Sequence, residues 1–406
     1  MKILHVNEVW SPRAGPEQYL IDICNALSEL GHENVVVYGI KKEDTINDPG
    51  IKSYHFPSIF PSVTEILPYK RRKVCKEFAA IINKENPDII FFHTLWNPFL
   101  VDIAVSLRPT VREVVDYRIF CPGVLRYRYL TNTICIAKPG LKCWFYANVG
   151  GCGVRLPHHR LARLIMRGID IETNKKVHRM IAVSEYVAKE LILAGIDAKR
   201  IVVNLPFIKD INNSEANHQL TGKNILYVGR VERTKGIDFL IRAMKLLDRE
   251  CSLDIIGVGR MRKKLEQLAH NLQLSNRVRF WGWIPNVELR KYYKKAQVFV
   301  LPSVWPEPLG IVILEAMANS VPVVASGVGG IKEMVKEGET GFLVKPKDVR
   351  ELAHKIKNLL DNSELRKKFG ENGKRFVQEK VNKERHLKIL LETFKAACDV
   401  FKKSVS

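Results

Sequence analysis

Two carboxylates, Glu307 and Glu315, stand eight residues apart in the run Trp305-Pro-Glu-Pro-Leu-Gly-Ile-Val-Ile-Leu-Glu-Ala-Met-Ala318. Pro306 and Pro308 flank the first acid and keep it out of helical geometry, which predicts a fixed loop. Residues 310–319 read as a helix that is apolar on nearly every side, and therefore buried. Glu315 falls inside that helix, where an unpaired charge is costly, so it needs a polar partner from protein or ligand. The free N–H groups and dipole at the helix start favour negative charge. A sugar-phosphate ligand would use all three features at once. An isolated pair at this spacing is more often solvated or matched by a neighbouring lysine, so the surrounding segments decide.

Those segments are specific. Val321-Pro-Val-Val-Ala-Ser326 is a buried-strand pattern, followed by Gly327-Val-Gly-Gly330 and Ile331-Lys-Glu333. Upstream, Gly229-Arg-Val-Glu-Arg-Thr-Lys-Gly236 follows a strand pattern at 225–228. With a glycine at each end of that loop, Arg230 and Lys235 can aim at one anion. In this order the segments resemble the donor site of the GT-B glycosyltransferases of the large retaining family 4. The resemblance extends over nearly the whole chain and implies an α/β fold, GT-B, with two Rossmann-like domains facing a central cleft.

The resemblance also implies roles. Arg230 and Lys235 would hold the donor diphosphate and neutralise charge on the leaving phosphate, a task other transferases give to a metal ion. Glu315 would accept from the ribose hydroxyls. Glu307 would approach the transferred sugar and stabilise positive charge near its anomeric carbon. Backbone N–H groups around Leu309, Gly310 and Ile311 would contact sugar or phosphate. Gly15 is the close-approach glycine of the first domain, with Pro16 where the family has a second glycine. His93 lies at a strand end where family members place a functional histidine. Read without the family, it is more often a structural residue. Asp116-Tyr-Arg-Ile-Phe-Cys-Pro122 resembles a His-Asp-Tyr…Cys-Pro segment of a family subset, with Val115 in place of the histidine. Leu205 replaces a glycine after Asn204. No Asp-x-Asp pair is arranged for a metal, so the expectation is a metal-independent reaction with no cofactor beyond the nucleotide-diphospho-sugar donor. Other readings stay open at this level: a nucleotide-sugar epimerase of GT-B fold, and a non-catalytic GT-B partner subunit.

The elements that must position these residues follow from periodicity. In the first half, strands are expected at 2–7, 35–38, 88–93, 111–115, 181–184 and 201–204. Gly15 is a turn before a helix at 17–30, whose Leu20, Ile23, Leu27 and Leu30 keep the helical period. Ser184 is a natural N-cap. In the second half, strands at 225–228, 253–256, 278–281, 298–301 and 321–326 alternate with helices at 237–247, 262–272, 287–295 and 310–319. The division expected is an acceptor-binding domain 1–205 with a cysteine-bearing insertion at 121–153, a polar linker 206–222, a nucleotide-sugar domain 223–383, and a helix at 384–406 crossing back to the first domain.

Composition sets the outer limits. The chain of 406 residues can form two ordinary domains, and its 46% hydrophobic content is globular. No apolar run is long enough to span a membrane, and the first residues are too quickly polar for a signal peptide, so a cytoplasmic location is expected. The net charge of +22 predicts attraction to an acidic partner. Lys70-Arg-Arg-Lys73 and the basic amphipathic pattern of Arg160, Arg163 and Arg167 favour an anionic membrane surface on the inner face. No nucleic-acid module is present. The acceptor expected is a glycan or a lipid-linked sugar. Cys121, Cys135, Cys143 and Cys152 lack the close pairs of a strong zinc motif and remain open between free thiols, disulfides and metal.

Overall fold

The computed structural model describes residues 1–11, 15–42, 45–46, 50–60, 68–137, 142–143, 145–146, 152, 157–208 and 222–405. The chain divides into two compact units: Met1–Pro206 with Glu384–Ser406, and Phe207–Lys383. Each is built on a parallel sheet.

In the first unit the strands are β1 (Lys2–Val9), β2 (Glu33–Ile40), β3 (Lys52–His55), β4 (Ile89–Phe92), β5 (Thr110–Val114), β8 (Arg179–Ala182) and β9 (Ile201–Val203), and a short hairpin, β6 (Tyr127–Arg128) with β7 (Thr133–Ile134), interrupts the series. The sheet order is β3-β2-β1-β4-β5-β8-β9, with every pairing parallel. Its helices are α1 (Gly15–Glu29), α2 (Pro68–Glu85), α3 (Pro98–Leu107), α4 (Pro157–Asn174) and α5 (Glu185–Leu193). Parallel strands are covered on both faces, which explains why Ile89 to Phe92 and Val35 to Val37 are apolar without alternation and fully buried. Ser184 caps α5 by accepting from the Val187 amide at 3.1 Å.

The second unit holds β10 (Lys223–Val228), β11 (Cys251–Ile256), β12 (Val278–Gly282), β13 (Val298–Leu301), β14 (Val323–Ser326) and β15 (Gly341–Val344), in the order β12-β11-β10-β13-β14-β15. Its helices are α6 (Ile237–Met244), α7 (Arg262–Asn271), α8 (Asn286–Lys295), α9 (Ile311–Ala318), α10 (Ile331–Met334), α11 (Val349–Asp361) and α12 (Ser363–Lys380). The chain then returns to the first unit through α13 (Lys383–Val405).

Three expectations need correction. Gly15 is not a turn before the first helix; it is the residue that opens α1. Leu30 is 52% exposed, because the helix ends at Glu29 and Gly31, at φ +78°, turns the chain away. Arg167 does not belong to an outward basic face. It is buried, donates to Asp170 Oδ2 at 2.5 Å and lies 5.6 Å from the Trp96 ring, while Ile165 on the same helix is exposed. A carboxylate three residues along α4 outcompeted solvent for the guanidinium. The side chains of Arg160 and Arg163 lie outside the described residues, as do residues 12–14 and the linker stretch 209–221. Among the described residues no helix is long and apolar enough to cross a membrane. Cys121, Cys135 and Cys152 of the insertion are free thiols, and no group of three described metal-binding side chains is arranged to hold an ion.

Candidate functional site

In the second unit the strand order reverses between β10 and β13. Ligands of open α/β sheets bind outside the carboxyl ends of strands at such a reversal, where the two neighbouring loops diverge. Here those loops are 229–236 and 302–310. They are tied together: the Val304 amide donates to Thr234 O at 2.9 Å. Gly236, at φ +67°, makes the approach possible, since a Cβ there would lie 2.0 Å from Pro302 O.

The tie brings Lys235 and Glu307 into contact. Glu307 Oε1 accepts from Lys235 Nζ at 2.6 Å, Ser303 Oγ at 2.5 Å and Trp305 Nε1 at 2.8 Å. Glu307 is only 4% exposed, so the three donors are what make its charge tolerable there. Lys235 Nζ also lies 5.4 Å from the centre of the Trp305 ring. The glycine loop after β14 closes over the acid from the other side. Gly330 N donates to Glu307 O at 2.8 Å, and a Cβ on Gly329 would lie 2.2 Å from that oxygen. Pro306 and Pro308 hold the loop's φ angles while these contacts fix its position.

Arg230 stands at the other end of the β10 loop with an exposed side chain, and its carbonyl accepts from Tyr227 OH at 2.8 Å. Leu309 is buried, Gly310 caps α9 at φ +92°, and Ile311 opens the helix. No side chain caps the start of α9. Glu315 does have a polar partner: Tyr293 OH donates to its Oε2 at 2.8 Å. Burial raises the Glu315 carboxyl above its ordinary pKa, and the Tyr293 bond opposes the rise. Tyr293→Phe should leave this carboxylate one donor short and cost about 1–2 kcal/mol of stability, read by urea unfolding.

The first unit has its own reversal, between β1 and β4. His93 follows β4 directly, but it is buried with both ring nitrogens engaged. Nδ1 lies 3.1 Å from Glu113 Oε2 and Nε2 lies 3.0 Å from His5 Nδ1. Burial lowers its pKa to about 3. Asp116, beyond β5, accepts from the Arg118 amide at 2.8 Å and from Arg118 Nε at 2.5 Å. Burial pushes it up to about 6, against the pull of these bonds and of Arg112 and Arg167. Arg118 also pairs with Glu8 and stacks 5.0 Å from Trp96.

Sequence reasoning missed Ser303, Trp305, Tyr293, His5 and Glu113 as partners. Ser303 and Trp305 lie four and two residues before Glu307, so local spacing carried a signal. Tyr293, His5 and Glu113 reach their partners only through tertiary packing.

Family comparisons cover both units. A family described as Glycosyl transferases group 1 matches residues 209–376, and one described as Glycosyl transferase 4-like domain matches residues 14–206. A glycosyltransferase of Methanocaldococcus jannaschii, described as uncharacterized, is 38% identical over 214 residues, 52% of this chain and 55% of its own length. The alpha-D-kanosaminyltransferase of Streptomyces kanamyceticus is 37% identical over 151 residues, 36% of this chain and 39% of its own length. The chain thus spans about half the length, or less, of these curated relatives. Among solved structures, Anabaena HepE in complex with UDP superposes with a TM-score of 0.72 at 20% identity, covering 98% of this chain and 100% of that one. The sucrose-phosphate synthase of Thermosynechococcus elongatus gives 0.72 at 22% identity, covering 99% of both chains. These two likenesses establish the fold as GT-B. With a matching family on each unit and that fold throughout, the chain belongs to the group 1, family 4-type GT-B glycosyltransferases.

Proposed function

We propose that the protein is a retaining, metal-independent glycosyltransferase that moves a hexose from a UDP- or GDP-sugar to a hydroxyl of a glycan or lipid-linked acceptor. The observation that carries this reading is the Lys235–Glu307 contact at the β10/β13 reversal, with Glu315 on the helix that follows. A cation and a carboxylate held at one point suit a donor whose diphosphate gains negative charge while its anomeric carbon gains positive charge. Arg230 and Lys235 would meet the diphosphate, Glu307 the sugar, and Glu315 the ribose hydroxyls. The first amides of α9, from Leu309 to Ile311, would add donors to sugar or phosphate. Gly15 and Asp116 belong to the acceptor side in this scheme.

In the reaction the bond from the anomeric carbon to the phosphate oxygen breaks, and the acceptor oxygen bonds to the same face of that carbon. The acceptor proton passes to the departing phosphate oxygen. Two cationic side chains in the β10 loop supply the charge neutralisation that a metal gives elsewhere. UDP in the HepE structure supports a nucleotide donor. The excess of basic residues, with Arg71 to Lys73 exposed on α2, supports an anionic acceptor or membrane surface on the cytoplasmic side.

Calorimetry of UDP, GDP and ADP with wild type and Lys235→Ala tests the donor site. One nucleotide should bind tightly to wild type and at least tenfold more weakly to the variant. Equal binding by both proteins would remove Lys235 from the site. Transfer measured with and without EDTA tests metal independence, and the expected rates are the same.

A further inference from the structure

A buried chain of polar groups runs through the first unit behind the end of β4. It links Asn34, His5, His93, Glu113, Tyr19 and His386; the family resemblance marks only His93 among them, and the reaction proposed above assigns it no step. We propose that Glu113 is a positioning residue whose carboxylic acid proton is donated to His93 Nδ1, fixing the tautomer of the imidazole at the β4 end.

Hydrogen bonds at one end set the direction of the whole chain. Asn34 Nδ2 donates to Cys24 O at 3.0 Å and to Ser28 Oγ at 2.9 Å. A carbonyl only accepts, so the Asn34 amide cannot be turned over, and its Oδ1 faces His5 Nε2 at 2.9 Å. His5 Nε2 therefore carries a hydrogen. A neutral His5 then has a bare Nδ1, and the 3.0 Å contact to His93 Nε2 requires the hydrogen to sit on His93. His93 Nδ1 is bare in turn. Its 3.1 Å contact with Glu113 Oε2 is a hydrogen bond only if Glu113 is protonated.

At the other end, His386 Nδ1 donates to Leu205 O at 2.7 Å, so its Nε2 accepts from Tyr19 OH at 2.8 Å. The single Tyr19 proton is thereby committed away from Glu113, although Tyr19 also lies within reach of that carboxyl. The groups facing Glu113 and His93 are Tyr19 from α1, His5 from β1 and His386 from α13, and Cys24 stands beside Tyr19. Arg112 and Asp116, beside Glu113 on the chain, bond instead to Asp170, Asn174 and Arg118. The attraction between Glu113 and His386 favours ionising Glu113, and burial outweighs it. His5, His93 and Glu113 are at most 5% exposed. Burial acts in the same sense on each of them, lowering both histidines to about 3 and raising Glu113 to about 7.

Loss of the Glu113 proton to solvent has a definite consequence. His93 must move its hydrogen to Nδ1 to meet the carboxylate, and His5 must move its own to Nδ1 to meet His93. His5 Nε2 then faces Asn34 Oδ1 with no hydrogen between them.

The test is a titration of the full chain labelled with 15N-histidine, with signals assigned by His5→Gln and His93→Gln. Ring nitrogens of His5 and His93 should report the Nε2–H tautomer below neutrality and the Nδ1–H tautomer above it, with a midpoint near 7. Glu113→Gln should hold His93 as Nε2–H at every pH, because the amide donates as the acid did. An Nδ1–H tautomer at the acid end, or one that never changes in wild type, overturns the proposal. Its functional arm rests on the transferase reading: kcat/KM of wild type should fall as pH rises through the midpoint, and that of Glu113→Gln should not. The ring nitrogens need no substrate. A tautomer switch without turnover of any nucleotide-sugar would therefore support the Glu113 assignment and sink only the transferase reading.

Discussion

Lys235→Ala is expected to lower kcat/KM by about 10²–10³-fold, the usual cost of removing one preorganised electrostatic contact to developing charge. It should also destabilise the second unit by about 3 kcal/mol, because a nearly inaccessible carboxylate loses its cation. The two effects have different origins and can be separated. In Lys235→Met/Glu307→Gln, the buried charge and its cation leave together, and the introduced amide can still accept from Ser303 and Trp305. Stability, followed by thermal unfolding, should recover most of the loss. Turnover should not recover, since both charges proposed for the donor are gone. If activity returned with stability, the pair would be a structural ion pair, and the catalytic assignment would fall.

Gly236→Ala should be strongly damaging, and through the donor loops themselves. Its Cβ would meet Pro302 O at 2.0 Å, and the backbone sits at φ +67°. The left-handed conformation costs a residue with a side chain about 1–2 kcal/mol, and an overpacked methyl about 1–3 more. Relief requires the β10 and β13 loops to separate, which breaks the Val304–Thr234 bond and draws Lys235 from Glu307. The expected outcome is a loss of about 3 kcal/mol or more together with loss of nucleotide binding. Gly338→Ala is the control: it also has positive φ, at +75°, but nothing lies within 4 Å of its Cβ. It should pay only the conformational cost and keep binding nucleotide. Equal damage from both would show that strain, not the approach of the two loops, is the cause.

Much of the fold was legible because its signals are local. Runs such as Ile89-Ile-Phe-Phe92 and Val298-Phe-Val-Leu301 are strands buried on both faces, and a short continuous apolar run records that directly. Helix ends were less so: α6 stops at Met244, three residues before the expected end, and α1 begins at Gly15. The strands β3 and β15 gave weaker patterns. Lys52-Ser-Tyr-His55 is a largely exposed edge strand, with no apolar face to announce it.

What the sequence determined alone was the inventory and order of the site: a loop acid between two prolines, a second acid in an apolar helix, and cations in a glycine-bounded loop. Types and short spacings are written along the chain, and these were enough to mark the segments. Tertiary structure decided which groups meet. Lys235 reaches Glu307 across 72 residues because the sheet reverses between β10 and β13, and Tyr293 reaches Glu315 from the neighbouring helix. Packing likewise buried Arg167 beside the Trp96 ring and placed His93 in a buried chain with His5 and Glu113. Such partnerships depend on three-dimensional proximity and on exclusion of water, and neither is a property of spacing along the chain.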